Sequence, residues 1–158
     1  MRILVVSDSH GNTEALERAA DLQSAAELIV HLGDGDRDAE ILRYELPPQK
    51  ALAAVKGNND WRSDDPTERV FEEHGVRIMM MHGHTYAVKQ GMGGAIAAAK
   101  RAGAQILLYG HTHKAFTDCV DGLYIMNPGA VGSPYNGTYG TIDLTPHGIQ
   151  MAIHSLCE

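Results

Sequence analysis

The sequence predicts a mixed α/β fold whose first part repeats strand and helix and whose last third is all β. Three observations carry this. Apolar runs without alternation, such as Ile3–Val6 and Leu28–Val30, read as strands buried on both faces. Between them lie stretches with apolar residues at helical spacing. After Phe116 the texture changes to short alternating runs separated by Asp121-Gly122, Asn136-Gly137 and His147-Gly148, the turn chemistry of antiparallel hairpins. Together these point to mixed sheets with flanking helices rather than to a pure doubly wound sheet.

Taken in order, Met1–Ser7 is the first strand. A helix starts at Asn12 or Thr13, with Ala15, Leu16, Ala19, Ala20 and Leu22 on its apolar side. Leu28–Leu32 is a second strand ending in Gly33-Asp34. Asp38–Leu46 is a short helix stopped by Pro47-Pro48. Ala51–Val55 is a third strand, ending in Gly57. Glu68–Phe71 and Val76–Met81 are strands around the turn His74-Gly75. Gly93–Gly103 is an alanine-rich helix, and Gln105–Tyr109 the next strand.

Bulk properties narrow the function classes. The chain of 158 residues suits one domain, 1–158, with a full core. Hydrophobic content of 44% and a mean hydropathy of -0.22 fit an ordinary globule. No window approaches a membrane span, and the apolar start is too short for a signal segment. The two cysteines, Cys119 and Cys157, form no metal or redox motif, so a reduced, cytoplasmic setting is expected. A net charge of -7 without any run of Lys or Arg argues against long nucleic acid as a partner.

Function is concentrated at the strand ends. The stretch 105-QILLYGHTHKAF-116 runs an apolar strand into His111 and His113; alone, that is a turn with two surface histidines. The pattern recurs, however, in 4-LVVSDSHGN-12, 29-IVHLGDGD-36, 54-AVKGNND-60 and 78-IMMMHGHT-85. Ligand sites in such sheets form beyond the carboxyl ends of strands, so five clusters at one edge point to a joint metal site. Asp8 and His10, one residue apart in an extended segment, would face the same way and grip one ion; His111 and His113 would do likewise. Asp34 is a carboxylate able to bridge two cations, Asn58 offers a carbonyl oxygen, and His82 another imidazole. Seven ligands exceed what one first-row ion takes but suit two ions sharing Asp34. Such paired ions, about 3.5–4 Å apart, serve in-line displacement at phosphorus. Their surplus positive charge invites a small anionic phosphate ester as substrate. Imidazole and carboxylate ligands without thiolate suit Mn, Fe, Zn, Co or Ni, with manganese placed first, over Mg or Ca.

In this order, D-x-H, G-D, G-N-x-D, H-G-H and G-H-T-H resemble the calcineurin-like metallophosphoesterase superfamily. The compact length and 126-MNPGAVGSP-134 make the chain similar to the small YfcE-type phosphodiesterases within it. The resemblance covers Asp8 to Pro134. It implies a four-layer α/β/β/α sandwich around two sheets. It also implies a dinuclear centre with Asp8, His10 and His113 on one metal, Asn58, His82 and His111 on the other, and Asp34 bridging. Homodimers or homotetramers are common in the family.

The sequence departs from the family pattern in two places. Where many members carry a histidine in G-N-H-D, this chain has Asn59, which can donate a hydrogen bond but not a proton near neutral pH. It stands either as a substrate contact or as a turn residue. Second, 127-NPGA-130 replaces the usual Asn-Pro-Gly-Ser, and Tyr135 stands where an arginine is often found, which leaves the substrate less defined than the chemistry. Four assignments remain. For His84, orienting a ligand or touching substrate is favoured over direct ligation, with an acid role open. Asp60 either fixes an imidazole or pins the loop bearing Asn58. Asp36 reads as a solvated loop carboxylate and His31 as a satisfied core histidine. Competing functions on the same centre are a phosphomonoesterase, a dinucleoside polyphosphate hydrolase or a nuclease; a non-catalytic scaffold, as in the retromer subunit of this fold, is the reading from another class.

Overall fold

A computed structural model of the chain describes residues 1–157. Ten strands form two five-stranded mixed sheets. The first sheet has the order β10-β9-β1-β2-β3, built from β1 (Arg2–Val6), β2 (Leu28–His31), β3 (Ala51–Ala54), β9 (Thr138–Thr145) and β10 (Gly148–Ser155). The second has the order β4-β5-β6-β8-β7, from β4 (Glu68–Glu73), β5 (Val76–Met81), β6 (Ile106–Leu108), β7 (Phe116–Val120) and β8 (Leu123–Asn127). Helices α1 (Thr13–Leu22) and α2 (Asp36–Glu45) accompany the first sheet and α3 (Gly93–Arg101) the second.

The layering follows from the two-residue period of a strand. On β1, Ile3 and Val5 point into the core between the sheets, where they meet Ile78, Met80, Ile106 and Leu108. Leu4 and Val6 point the other way and pack on Leu16, Ala19 and Leu42 of α1 and α2. On β5 and β6, Met79, Met81 and Leu107 bear on Ala95, Ala98 and Ala99 of α3, whose small side chains let the helix lie close. A strand with both faces covered must be apolar throughout, which is why Ile3–Val6 shows no alternation. Each large aliphatic buried this way contributes about 2 kcal/mol through removal from water.

Two elements differ from the sequence reading. Asn136-Gly137 does not close a hairpin: β8 lies in the second sheet and β9 in the first, so the chain crosses between sheets there. The other turns close hairpins as expected, pairing β4 with β5, β7 with β8 and β9 with β10. Helix α2 starts at Asp36, two residues earlier than expected, and Asp36 is its half-buried first residue rather than a solvated loop carboxylate. The reason is tertiary. Gly35 at the helix start has no capping side chain of its own, and the Asp60 carboxylate accepts from the Gly35 and Asp36 amides at 3.0 and 3.2 Å. Among the described residues no helix is long and apolar enough to cross a membrane.

Candidate metal centre

Parallel pairing of β1 with β2, β2 with β3, and β5 with β6 brings their carboxyl ends to common edges, and the two packed sheets set those edges side by side. The strand-end loops deliver their side chains in two groups. Asp8, His10 and His113 form one, and Asp34, His82 and His111 the other, with donor atoms in each group within 4.8 Å of one another. Asn58 joins the second, its Oδ1 lying 3.0 Å from His82 Nε2. Asp34 links the groups, with Oδ2 3.4 Å from His82 Nε2 and 3.7 Å from His10 Nε2.

The backbone route to this arrangement differs from the expected one. Asp8 and His10 do not share a face by lying in an extended segment. Both are left-handed, with φ of 55° and 45°, as are Asp34 at 56°, His111 at 68° and His113 at 59°. A non-glycine residue in that region costs on the order of 1 kcal/mol or more, although Asp and His tolerate it better than most. Five such residues at one site are held by surrounding contacts. The loops approach so closely that a Cβ at Gly57 would overlap the Asp34 carboxylate, which accounts for glycine there.

The donor set fits cations. Asp8 is fully buried; its Oδ2 accepts from the Ser7 hydroxyl at 2.6 Å and the His111 amide at 3.1 Å, while Oδ1 has no hydrogen-bond partner. His113 Nε2 stands 3.0 Å and His10 Nε2 3.5 Å from that bare oxygen. The two imidazole nitrogens are 3.3 Å apart. His82 donates from Nδ1 to the Leu32 carbonyl at 2.8 Å, which turns Nε2 towards the Asn58 and Asp34 oxygens. That nitrogen can face two acceptors only if the ring holds a second proton or a cation lies between them.

Electrostatics divides the histidines. Burial disfavours a charged His82, but the Asp34 and Asp8 carboxylates outweigh it and raise its pKa. Burial pushes His111 down to about 4, helped by His82 and Lys89, so its lone pair is free at neutral pH. Burial would raise the Asp34 carboxyl, yet hydrogen bonds from His82 and Asn59 hold it well below the usual carboxylate range.

The remaining sequence candidates fall around this centre. Asn59 turns inward: its amide donates to Asp34 Oδ1 at 2.9 Å and its Nδ2 to Asp34 Oδ2 at 2.7 Å. Asp60 touches no imidazole. Its carboxylate accepts from the Asp34 and Gly57 amides, both at 2.7 Å, besides the start of α2, so it clamps the loops bearing Asp34 and Asn58. His84 opens a short 3-10 turn, with its ring 5.5 Å from that of His82 and its Nδ1 buried without a partner.

Sequence reasoning missed a buried chain behind the centre. Gly33 donates to His31 Nδ1 at 3.2 Å, which fixes the proton of a neutral ring on Nε2. That nitrogen lies 3.0 Å from the Ser9 hydroxyl, which donates to Asp38 at 2.6 Å. Asp38 also accepts from the Gly11 amide and the Thr13 hydroxyl. Ser9 lies between Asp8 and His10, so this chain braces their strained loop. Asn127 does the same for the other histidine loop, donating to the Gly110 carbonyl and the Thr112 hydroxyl. A polar residue flanked by two candidate ligands was the available signal for Ser9; nothing local marks Asp38. Ser9→Ala is expected to lower stability by about 1–3 kcal/mol, because it strands two buried polar groups, and to weaken metal binding about tenfold. Denaturant unfolding and metal titration read the two effects; a folded variant with unchanged metal affinity would show that the loop needs no brace.

Two mixed sheets, one backed by α1 and α2 and the other by α3, with Asp, Asn and His converging at their strand ends, are the frame of a metallophosphoesterase. The chain belongs to the calcineurin-like phosphoesterase superfamily, whose domain profile matches residues 1–146. Within it, the chain is 32% identical to the probable metallophosphoesterase YsnB of Bacillus subtilis, over 85% of this chain and 77% of that protein. It is 30% identical to the phosphodiesterase YfcE of Escherichia coli, over 90% of this chain and 88% of that one. A predicted phosphoesterase from Streptococcus pneumoniae superposes with a TM-score of 0.82 at 24% identity, over 99% and 90% of the two chains.

Proposed function

We propose that this protein hydrolyses phosphodiester bonds of small nucleotide-like or activated esters at a dinuclear centre. Asp8, His10 and His113 would hold one divalent ion, and Asn58, His82 and His111 the other, with Asp34 shared. One observation carries the reading: a single oxygen of Asp34 lies within 3.7 Å of imidazoles from both groups. When bound, two such ions, manganese foremost, supply hydroxide near neutral pH and positive charge against the phosphoryl oxygens.

The chain's own groups then set the limits of the reaction. Asn59 turns its backbone amide and one N–H of its side chain to Asp34, so it steadies that carboxylate, and it carries no proton to give a departing oxygen. Burial, then the His82 charge, lowers the pKa of His84, which leaves its ring neutral and a poor acid at pH 7. Departure of the leaving group therefore depends on its own acidity. Purified protein loaded with manganese should hydrolyse bis-4-nitrophenyl phosphate, lose that activity to a chelator, and turn over alkyl esters far more slowly. Absence of bound metal, or no turnover of any ester in a panel of diesters, monoesters, dinucleoside polyphosphates and oligonucleotides, would refute the reading. Rates indifferent to leaving-group pKa would remove the argument about the missing acid.

A further inference from the structure

Two cavities lined by the strand-end loops of the candidate centre differ in charge. One, of about 390 Å3, runs from Asp8, His10 and His113 to Ser133, Pro134 and Asn136 and holds no lysine or arginine. The other, of about 660 Å3, contains Thr112, the residue between His111 and His113, and extends to Lys89 and Lys114. Its remaining lining is apolar or aromatic and includes no carboxylate. Val88 and Tyr109, each 5% exposed, are its buried floor, and Phe116 is among the few large apolar residues left open to solvent.

Two of the chain's five lysines lie here, on a protein of net charge -7. Among the described residues neither has a carboxylate within 4.0 Å, whereas Lys100 pairs with Asp121 at 3.0 Å. Unpaired cations beside an apolar seat are the polarity of a site for an organic anion. The size suits a nucleotide-sized group. A singly charged diester has its one charge at the metal centre and gives these lysines nothing to bind.

We propose that this cavity is a subsite for a second phosphoryl group on the substrate, held by Lys89 and Lys114, with the organic moiety seated against Val88, Tyr109 and Phe116. This rests on the phosphodiesterase reading. It narrows the substrate class to nucleotide-sized diesters that carry a further phosphate.

The test compares two esters with the same scissile bond and leaving group: thymidine 5′-(4-nitrophenyl phosphate) and its 3′-phosphorylated form. Manganese-loaded wild-type protein should prefer the second roughly tenfold in kcat/KM, as two partly exposed ion pairs provide. In Lys89→Gln/Lys114→Gln the ratio should fall to about one, and in the double arginine variant it should persist. The reading is a ratio within each protein, so a general loss of activity cancels. No preference in the wild type, or a preference that survives in the glutamine variant, overturns the subsite. If the wild type turns over neither ester, the phosphodiesterase reading fails instead. The subsite is then judged by calorimetry of thymidine 3′,5′-bisphosphate against thymidine 5′-monophosphate: tighter bisphosphate binding that the glutamines abolish supports it, and equal binding overturns it.

Discussion

Replacing Asp34 with asparagine should lower kcat/KM by about 10³-fold, the equivalent of ~4 kcal/mol of lost transition-state charge stabilisation, and loosen both ions together. The change keeps the shape and removes one charge. That charge stands between the two histidine groups and receives hydrogen bonds from the Asn59 backbone amide and side-chain Nδ2. An amide there would turn an NH2 either towards the Asn59 donors or towards an ion, and both arrangements are repulsive. Metal analysis alongside kinetics separates the possibilities. Loss of one ion alone would assign Asp34 to a single group, and full occupancy with near-normal rates would end its role as a shared ligand.

Asp60→Asn should cost about 3 kcal/mol of stability in the metal-free protein, as charge-assisted hydrogen bonds to buried amides are lost. Four amides, from Asp34, Gly35, Asp36 and Gly57, converge on this carboxylate, and an asparagine has one oxygen to offer them. The deficit should depend on pH. Burial works to raise the Asp60 carboxyl, but the Gly57 amide and its companions outweigh it, so the folded pKa lies below the unfolded one. A depressed carboxyl contributes stability above its unfolded pKa and loses it as pH falls through the folded value. The gap between wild type and variant should therefore be full above about pH 4 and close below it. Urea midpoints across that range check this; a gap that widens in acid would mean the amides are not its source. Because the same carboxylate clamps the Asp34 and Asn58 loops, metal affinity should fall as well.

These experiments address residues of unequal visibility. Asp34 stood out in the sequence because a carboxylate after an apolar run and a glycine is poorly explained as loop filler, above all when other strands end in the same way. The seven side chains named on that ground are the ones the sheets bring to one edge. For Asp60 one of the two readings, pinning the loop that bears Asn58, agrees with its bond to the Gly57 amide, while its hold on the Asp34 loop and the start of α2, like the contacts of His84, is not legible in the sequence. The sequence reads His31 as a satisfied core histidine, and its hydrogen bonds agree; what it satisfies, the Ser9–Asp38 chain beneath the Asp8–His10 loop, is not legible from 22 residues away.

Taken alone, the amino-acid order determined the element types and the kinds of ligand offered at the strand ends. Apolar runs and their period dictate which segments are strands, which are helices and which faces are buried, and residue type dictates what a side chain can coordinate; both are local properties. Tertiary structure decided the rest: the crossing of β8 and β9 between sheets, the distant carboxylate that starts α2, the left-handed backbone of five candidate ligands, and the two lysines left unpaired beside them. Each depends on the free energy of groups remote in the chain meeting across loops, where an unpaired amide or an overlapping Cβ counts for more than any local preference.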